Sequence, residues 1–153
     1  MVMKLVTISG LFIVLLSIGC VGQTLPRGIT KYLNGNFSGW KLAGECSGEE
    51  HKAVLSGDFD GNGKRDYAVK FIRGKQGFLV AFLNKGSTFM PHYLHIWSDP
   101  DEARFSWLIL FRKGEKDEQS GTPTLRFDSP ADYHCESDIG GIHAFKNGKF
   151  IAY

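Results

Sequence analysis

The sequence predicts an α+β, β-rich fold, with a short N-terminal helix followed by antiparallel hairpins in one small domain. Three observations predict it. Nineteen glycines and a 13% aromatic share favour short strands joined by tight turns. Two turn signals, Gly74-Lys75-Gln76-Gly77 and Asn147-Gly148, each separate two β-rich runs. Near the start, Ile29, Tyr32, Leu33, Phe37 and Trp40 recur at spacings of three or four, the period of one helix face.

The helix comes first, although Gly35 and Gly39 weaken its continuity. From residue 67 the period changes. Runs 67–73 and 78–84 read as a hairpin around Gly74-Lys75-Gln76-Gly77, and 88–97 and 105–112 as two further strands. Between these two, residues 98–104 are acidic and contain Pro100, which predicts a loop. Residues 113–122 are charged and glycine-flanked, predicting a solvated, mobile connector. Runs 142–146 and 149–153 flank Asn147-Gly148, the strongest short hairpin signal, so the chain is expected to end on a strand with Tyr153 packed.

Residues 1–22 read as a secretory signal peptide: a charge at Lys4, an apolar run over 5–18, then the small residues Ser17, Gly19 and Gly22. The run is shorter than the roughly 20 residues a membrane span needs. Residues 16–20 resemble a bacterial lipoprotein signal, which implies cleavage before Cys20 and its lipidation. Ser17 stands where that pattern prefers leucine, so simple cleavage near Gly22 stays open. Either route exports residues 23–153, one domain's worth of chain, to periplasm, outer membrane or exterior. Cys46 and Cys135 then remain, and in an oxidising compartment two leftover cysteines are expected to form a disulfide. With 18 basic against 16 acidic residues, no basic stripe argues for nucleic acid. The expected partner is an extracellular or envelope protein or a glycan, with membrane contact only through a lipid anchor.

The segment SGDFDGNGKRDYAV, starting at Ser56, concentrates the chemistry. Counting from Asp58, carboxylates fall at positions one, three and nine (Asp58, Asp60, Asp66), an amide at five (Asn62), a glycine at six (Gly63) and a backbone carbonyl at seven (Lys64). A coiled loop turns alternate residues inward, and hard oxygen donors without histidine or thiolate suit calcium. Gly61 and Gly63 permit the backbone angles such a coil needs. Val69 replaces the usual glutamate at position twelve, so Asp66 is expected to ligate directly. A turn that binds nothing would leave three carboxylates in mutual repulsion, offset only by Lys64 and Arg65. The segment resembles the loop of FG-GAP and VCBS-type repeats, which run from DxDxNGxxD straight into a strand. The resemblance implies Ca2+ held by Asp58, Asp60, Asn62, Lys64 and Asp66. Propellers need several copies and this chain has one, which excludes a propeller. Calcium is therefore expected to serve a structural part, with a dissociation constant on the order of 10⁻⁴ to 10⁻³ M.

Other chemistry is weaker, and the chain is expected not to be an enzyme. His92 and His95, three apart in a strand, should face opposite ways. His134 adjoins a cysteine expected in a disulfide, and His51 and His143 lack a recognisable partner. Acidic groups at Glu49-Glu50 and Asp99-Asp101-Glu102 could supply the acid and base of a hydrolytic enzyme, but solvated loops are their default. No phosphate-binding loop, nucleophile elbow or metalloprotease motif occurs. A carbohydrate-binding module with an aromatic platform is the alternative. For that role Trp107, in a strand apolar on both faces, reads as core, while Trp97 beside the acidic loop reads as free to bind.

Overall fold

A computed structural model describes residues 24–44, 52–118, 121–137 and 139–153. The signal segment, Cys20, Cys46, Glu49, Glu50 and His51 lie outside them. The described residues form two antiparallel sheets and two helices, so the molecule is β-rich with a minor helical part.

Helix α1 (Arg27–Asn36) buries Ile29 and Leu33, as the spacing predicts. It stops earlier than the apolar pattern does: Phe37 already has extended φ, and Trp40 lies beyond the helix, its indole N–H donating to Asn34 Oδ1 at 2.8 Å.

The first sheet contains β1 (Lys41–Leu42), β2 (Val54–Gly57), β3 (Asp66–Arg73), β4 (Gln76–Asn84) and β5 (Phe89–Trp97). The predicted hairpin is β3–β4, closed by Arg73↔Gln76 with Gly74 at φ 59°. Gly77 is not in the turn. It lies inside β4, where a Cβ would sit 2.3 Å from that of Ala103. Strands β1 and β2 lie end to end along one edge of β3, pairing with residues 71–72 and 66–69 respectively. Neither stood out in the sequence, because four residues or fewer carry no readable alternation.

The segment expected as a loop at 98–104 is partly helix α2 (Pro100–Arg104). Asp99 caps it, accepting from the Asp101 N–H at 2.9 Å, and proline occupies the first turn, where a missing N–H is harmless. Asp101 pairs with Arg104 at 2.6 Å. The acidic run therefore builds a helix start.

The second sheet runs β6 (Ser106–Phe111), β7 (Ser129–His134), β8 (Gly140–Lys146) and β9 (Lys149–Ala152). The β8–β9 hairpin turns through Asn147 and Gly148 at φ 51° and 81°, the left-handed pair that an Asn-Gly turn requires. Tyr153 continues the pairing, exchanging backbone bonds with Ile142, and is half-buried. The 113–122 connector is pinned in part: Leu125 N–H bonds the Glu115 carbonyl, and Thr122 and Leu125 are buried.

Three layers result. Ile29, Leu33 and Phe37 pack on Val69, Phe71, Phe78, Val80 and Phe82, one face of the first sheet. Ala68, Leu79, Ala81 and Leu83 line its other face, meeting Phe59, Trp97 and Ala103, with Leu108 of the second sheet. Strand β4 is thus buried on both sides.

Candidate metal centre

The acidic loop joins β2 to β3, and the pair Gly57↔Asp66 closes it. Phe59, fully buried, anchors it in the inter-sheet core. Gly61 and Gly63 adopt φ 75° and 74°, as the coil demands, and a Cβ on Gly61 would lie 2.1 Å from the Phe127 ring. From the approach to β7, Asp128 accepts the Asp58 N–H at 3.3 Å and the Lys113 N–H at 3.1 Å.

Within this frame one oxygen from each of Asp58, Asp60 and Asp66 lies within 4.8 Å of the others. Two oxygens across a calcium ion, each at 2.3–2.6 Å, are separated by up to about 5 Å. The three oxygens are therefore close enough together for a single ion to reach all of them. Asp58 Oδ2 accepts the Gly63 N–H at 3.0 Å, while its Oδ1 is buried without a hydrogen-bond partner. Asp66, fully buried at the head of β3, accepts from Phe59 N–H at 2.8 Å and Asn84 N–H at 2.7 Å, one on each oxygen. Each carboxylate oxygen has a second lone pair, so those bonds orient Asp66 without exhausting it. Burial pushes its pKa up and the two N–H groups pull it down, while the charges of Asp60 and Asp58 raise it again. The last effect is the mutual repulsion of neighbouring carboxylates.

The remaining expected ligands are placed differently. Asn62 Oδ1 accepts the Lys64 N–H at 2.8 Å and its amide donates to the Asn84 carbonyl at 3.1 Å, so the side chain braces the turn. Lys64 enters these contacts as an N–H donor. Val69 is buried against α1 and holds no ligand position. A direct ion pair comes from a third cation, Lys85, whose Nζ lies 2.6 Å from Asp60 Oδ2, a side chain 5% exposed. Lys85, Asn84 and Asp128 were not singled out from the sequence. For Asn84 a signal existed, since a hairpin that pairs Tyr67 with Phe82 brings the two strand ends, Asp66 and Asn84, together.

A second polar cluster joins the sheets. Strand alternation predicts His92 and His95 on opposite faces, but β5 carries a bulge: Leu79 pairs with His95 and Val80 with Tyr93, leaving Leu94 over. One extra residue reverses the alternation, and both imidazoles face the second sheet. His92 packs edge-on to Phe145 and Phe150. His95 Nδ1 meets Asp132 Oδ2 at 2.7 Å, and His143, predicted to be without a partner, meets Asp132 Oδ1 at 2.5 Å. Burial raises the Asp132 pKa, but the hydrogen bonds to the two histidines, together with their electrostatic pull, outweigh it and hold it down to about 2. Nearby, the fully buried Lys70 ammonium bonds the Ser106 carbonyl and lies 3.4 Å from Ser106 Oγ. Burial lowers its pKa to about 8, with Asp132 opposing.

The tryptophans exchange their expected roles. Trp97 is 6% exposed, stacked on His95 at 4.2 Å between ring centroids, whereas Trp107 is 37% exposed on the outer face of the second sheet. His134 Nδ1 takes the Glu136 N–H at 3.3 Å. Of the expected Cys46–Cys135 pair, only Cys135 lies among the described residues.

No family model, curated protein or solved structure matches the chain.

Proposed function

We propose that the protein is an exported small domain in which the Asp58–Asp60–Asp66 loop binds calcium as a structural ion, and whose outward role is binding. The supporting observation is the convergence of three carboxylate oxygens around a loop in which Asp58 Oδ1 is buried with no partner. A buried, unpaired carboxylate oxygen is costly, and a hard divalent cation removes the cost. The donor set is all oxygen, as calcium prefers, and magnesium would keep more of its water. The FG-GAP/VCBS-like reading, the signal peptide, lipidation at Cys20 and the Cys46–Cys135 bridge are carried by the sequence and form part of the same proposal.

Calcium would tie the end of β2 to the start of β3. An ion that binds only the folded state stabilises by RT ln(1 + [L]/Kd), about 1.4 kcal/mol at tenfold saturation, seen as a rise of several degrees in melting temperature. Thermal melts in millimolar calcium, in magnesium and in chelator test this. A melting temperature indifferent to all three, or an Asp58→Ala, Asp60→Ala double variant that keeps the calcium response, refutes the reading.

A further inference from the structure

We infer that the cleft between the acidic loop and the end of β6 binds a phosphate group, free or carried on a small ester. This names a ligand for the outward binding role proposed above, and it rests on that reading for its calcium dependence. The cleft encloses about 420 Å³, within the range of small-molecule sites. Asp58, Gly63, Lys64 and Arg65 line it from the loop, and Arg112, just past β6, lines it from the second sheet. Lys64, Arg65 and Arg112 are all exposed.

Charge selects the ligand. A divalent calcium ion and Lys85, which already pairs with Asp60, together balance the three loop carboxylates. Asp128 balances Arg112, pairing with it at 3.2 Å. Lys64 and Arg65 are left over, and among the described residues neither makes an ion pair. Two uncompensated cations at one cleft call for a dianion. A phosphate monoester carries about 1.5 to 2 negative charges at pH 7, whereas a carboxylate, a sulfate ester or a phosphodiester carries a single one. Guanidinium forks suit phosphate oxygens, and Arg112, held in place by Asp128, keeps donors to spare. Asp58 also faces the cleft. Its carboxylate repels an anion, and calcium beside it reverses that effect, so each ligand should tighten the other by the same factor.

The test is isothermal titration of the intact mature protein with glucose 6-phosphate and with inorganic phosphate, kept below the solubility of its calcium salt. Titrations run at constant ionic strength, in calcium and after dialysis against a chelating resin, with acetate as the monoanion control. Binding of at least one phosphate is expected, tighter in calcium and weakened about tenfold in Arg65→Gln; which phosphate binds tells the free ion from the ester. Lys75→Gln, which removes a charge in the turn at the far end of the β3–β4 hairpin, should leave binding unchanged. Among the described residues the Arg65 side chain makes no hydrogen bond or ion pair. Arg65→Gln should therefore melt with the parent and keep its calcium response, which separates lost contact from lost fold. Binding of neither phosphate, equal binding by Arg65→Gln, or acetate bound as tightly overturns the inference. Calcium melts on the same samples separate the two proposals. Calcium stabilisation without phosphate binding sinks the cleft alone. Phosphate binding in a protein whose melting temperature ignores calcium sinks the calcium loop alone, and phosphate binding that ignores calcium in a protein calcium stabilises sinks their coupling.

Discussion

Lys70 holds an ammonium group out of reach of water. Its pKa falls from 10.5 to about 8 through burial, so between those values the unfolded chain holds a proton that the folded one has released. Stability should therefore rise as pH climbs from 8 toward 10.5, by up to about 3 kcal/mol. Urea melts across that range should show the rise in the parent and its loss in Lys70→Met, whose apolar stem fills the same space. Asp132 titrates at the other end. Its pKa sits near 2 against 3.8 for a free carboxyl, so it contributes about 2 kcal/mol above pH 4 that disappears as pH falls through 2. Asp132→Ala strips the shared acceptor from His95 and His143 and should cost about 3 kcal/mol at pH 7. A loss below 1 kcal/mol in chemical denaturation would show that the cluster is not holding the sheets together.

At the scale of elements, Gly61 is the sharpest test of the acidic loop. Gly61→Ala meets both a left-handed φ and the Phe127 ring, and should destabilise by about 2 kcal/mol while abolishing the calcium shift. Lys85→Met should act oppositely on affinity, since its ammonium competes with calcium for Asp60, and a tighter calcium titration is the expected result. The loop and the two hairpins were legible in the sequence because their information is local: Asn147-Gly148, Gly74 and the alternate carboxylates each state their own geometry. The companions of the loop were not, since Lys85 and Asp128 reach it through strand pairing and sheet packing. The faces of His92 and His95 were misread because a bulge depends on the partner strand. Trp97 and Trp107 were exchanged for a related reason. An apolar strand declares that it packs, but which side packs is decided by the other layer.

Across the whole molecule, stability should concentrate in β4, with seven consecutive buried residues from Gly77 to Leu83 between the helix on one side and the second sheet on the other. Native-state hydrogen exchange should find its amides the slowest, and those of α1, an outer layer, faster. Exchange that is uniform across both sheets would contradict this. Among the described residues no strand crosses between the sheets: strands up to Trp97 make the first, and those from Ser106 onward make the second. A backbone cut after Arg104 therefore breaks no strand pairing within either sheet. The two halves, 23–104 and 105–153, should reassemble when co-expressed, guided by the shared apolar layer and by Asp132 reaching for His95, and the nicked protein would become a reporter whose two parts can be brought together on demand.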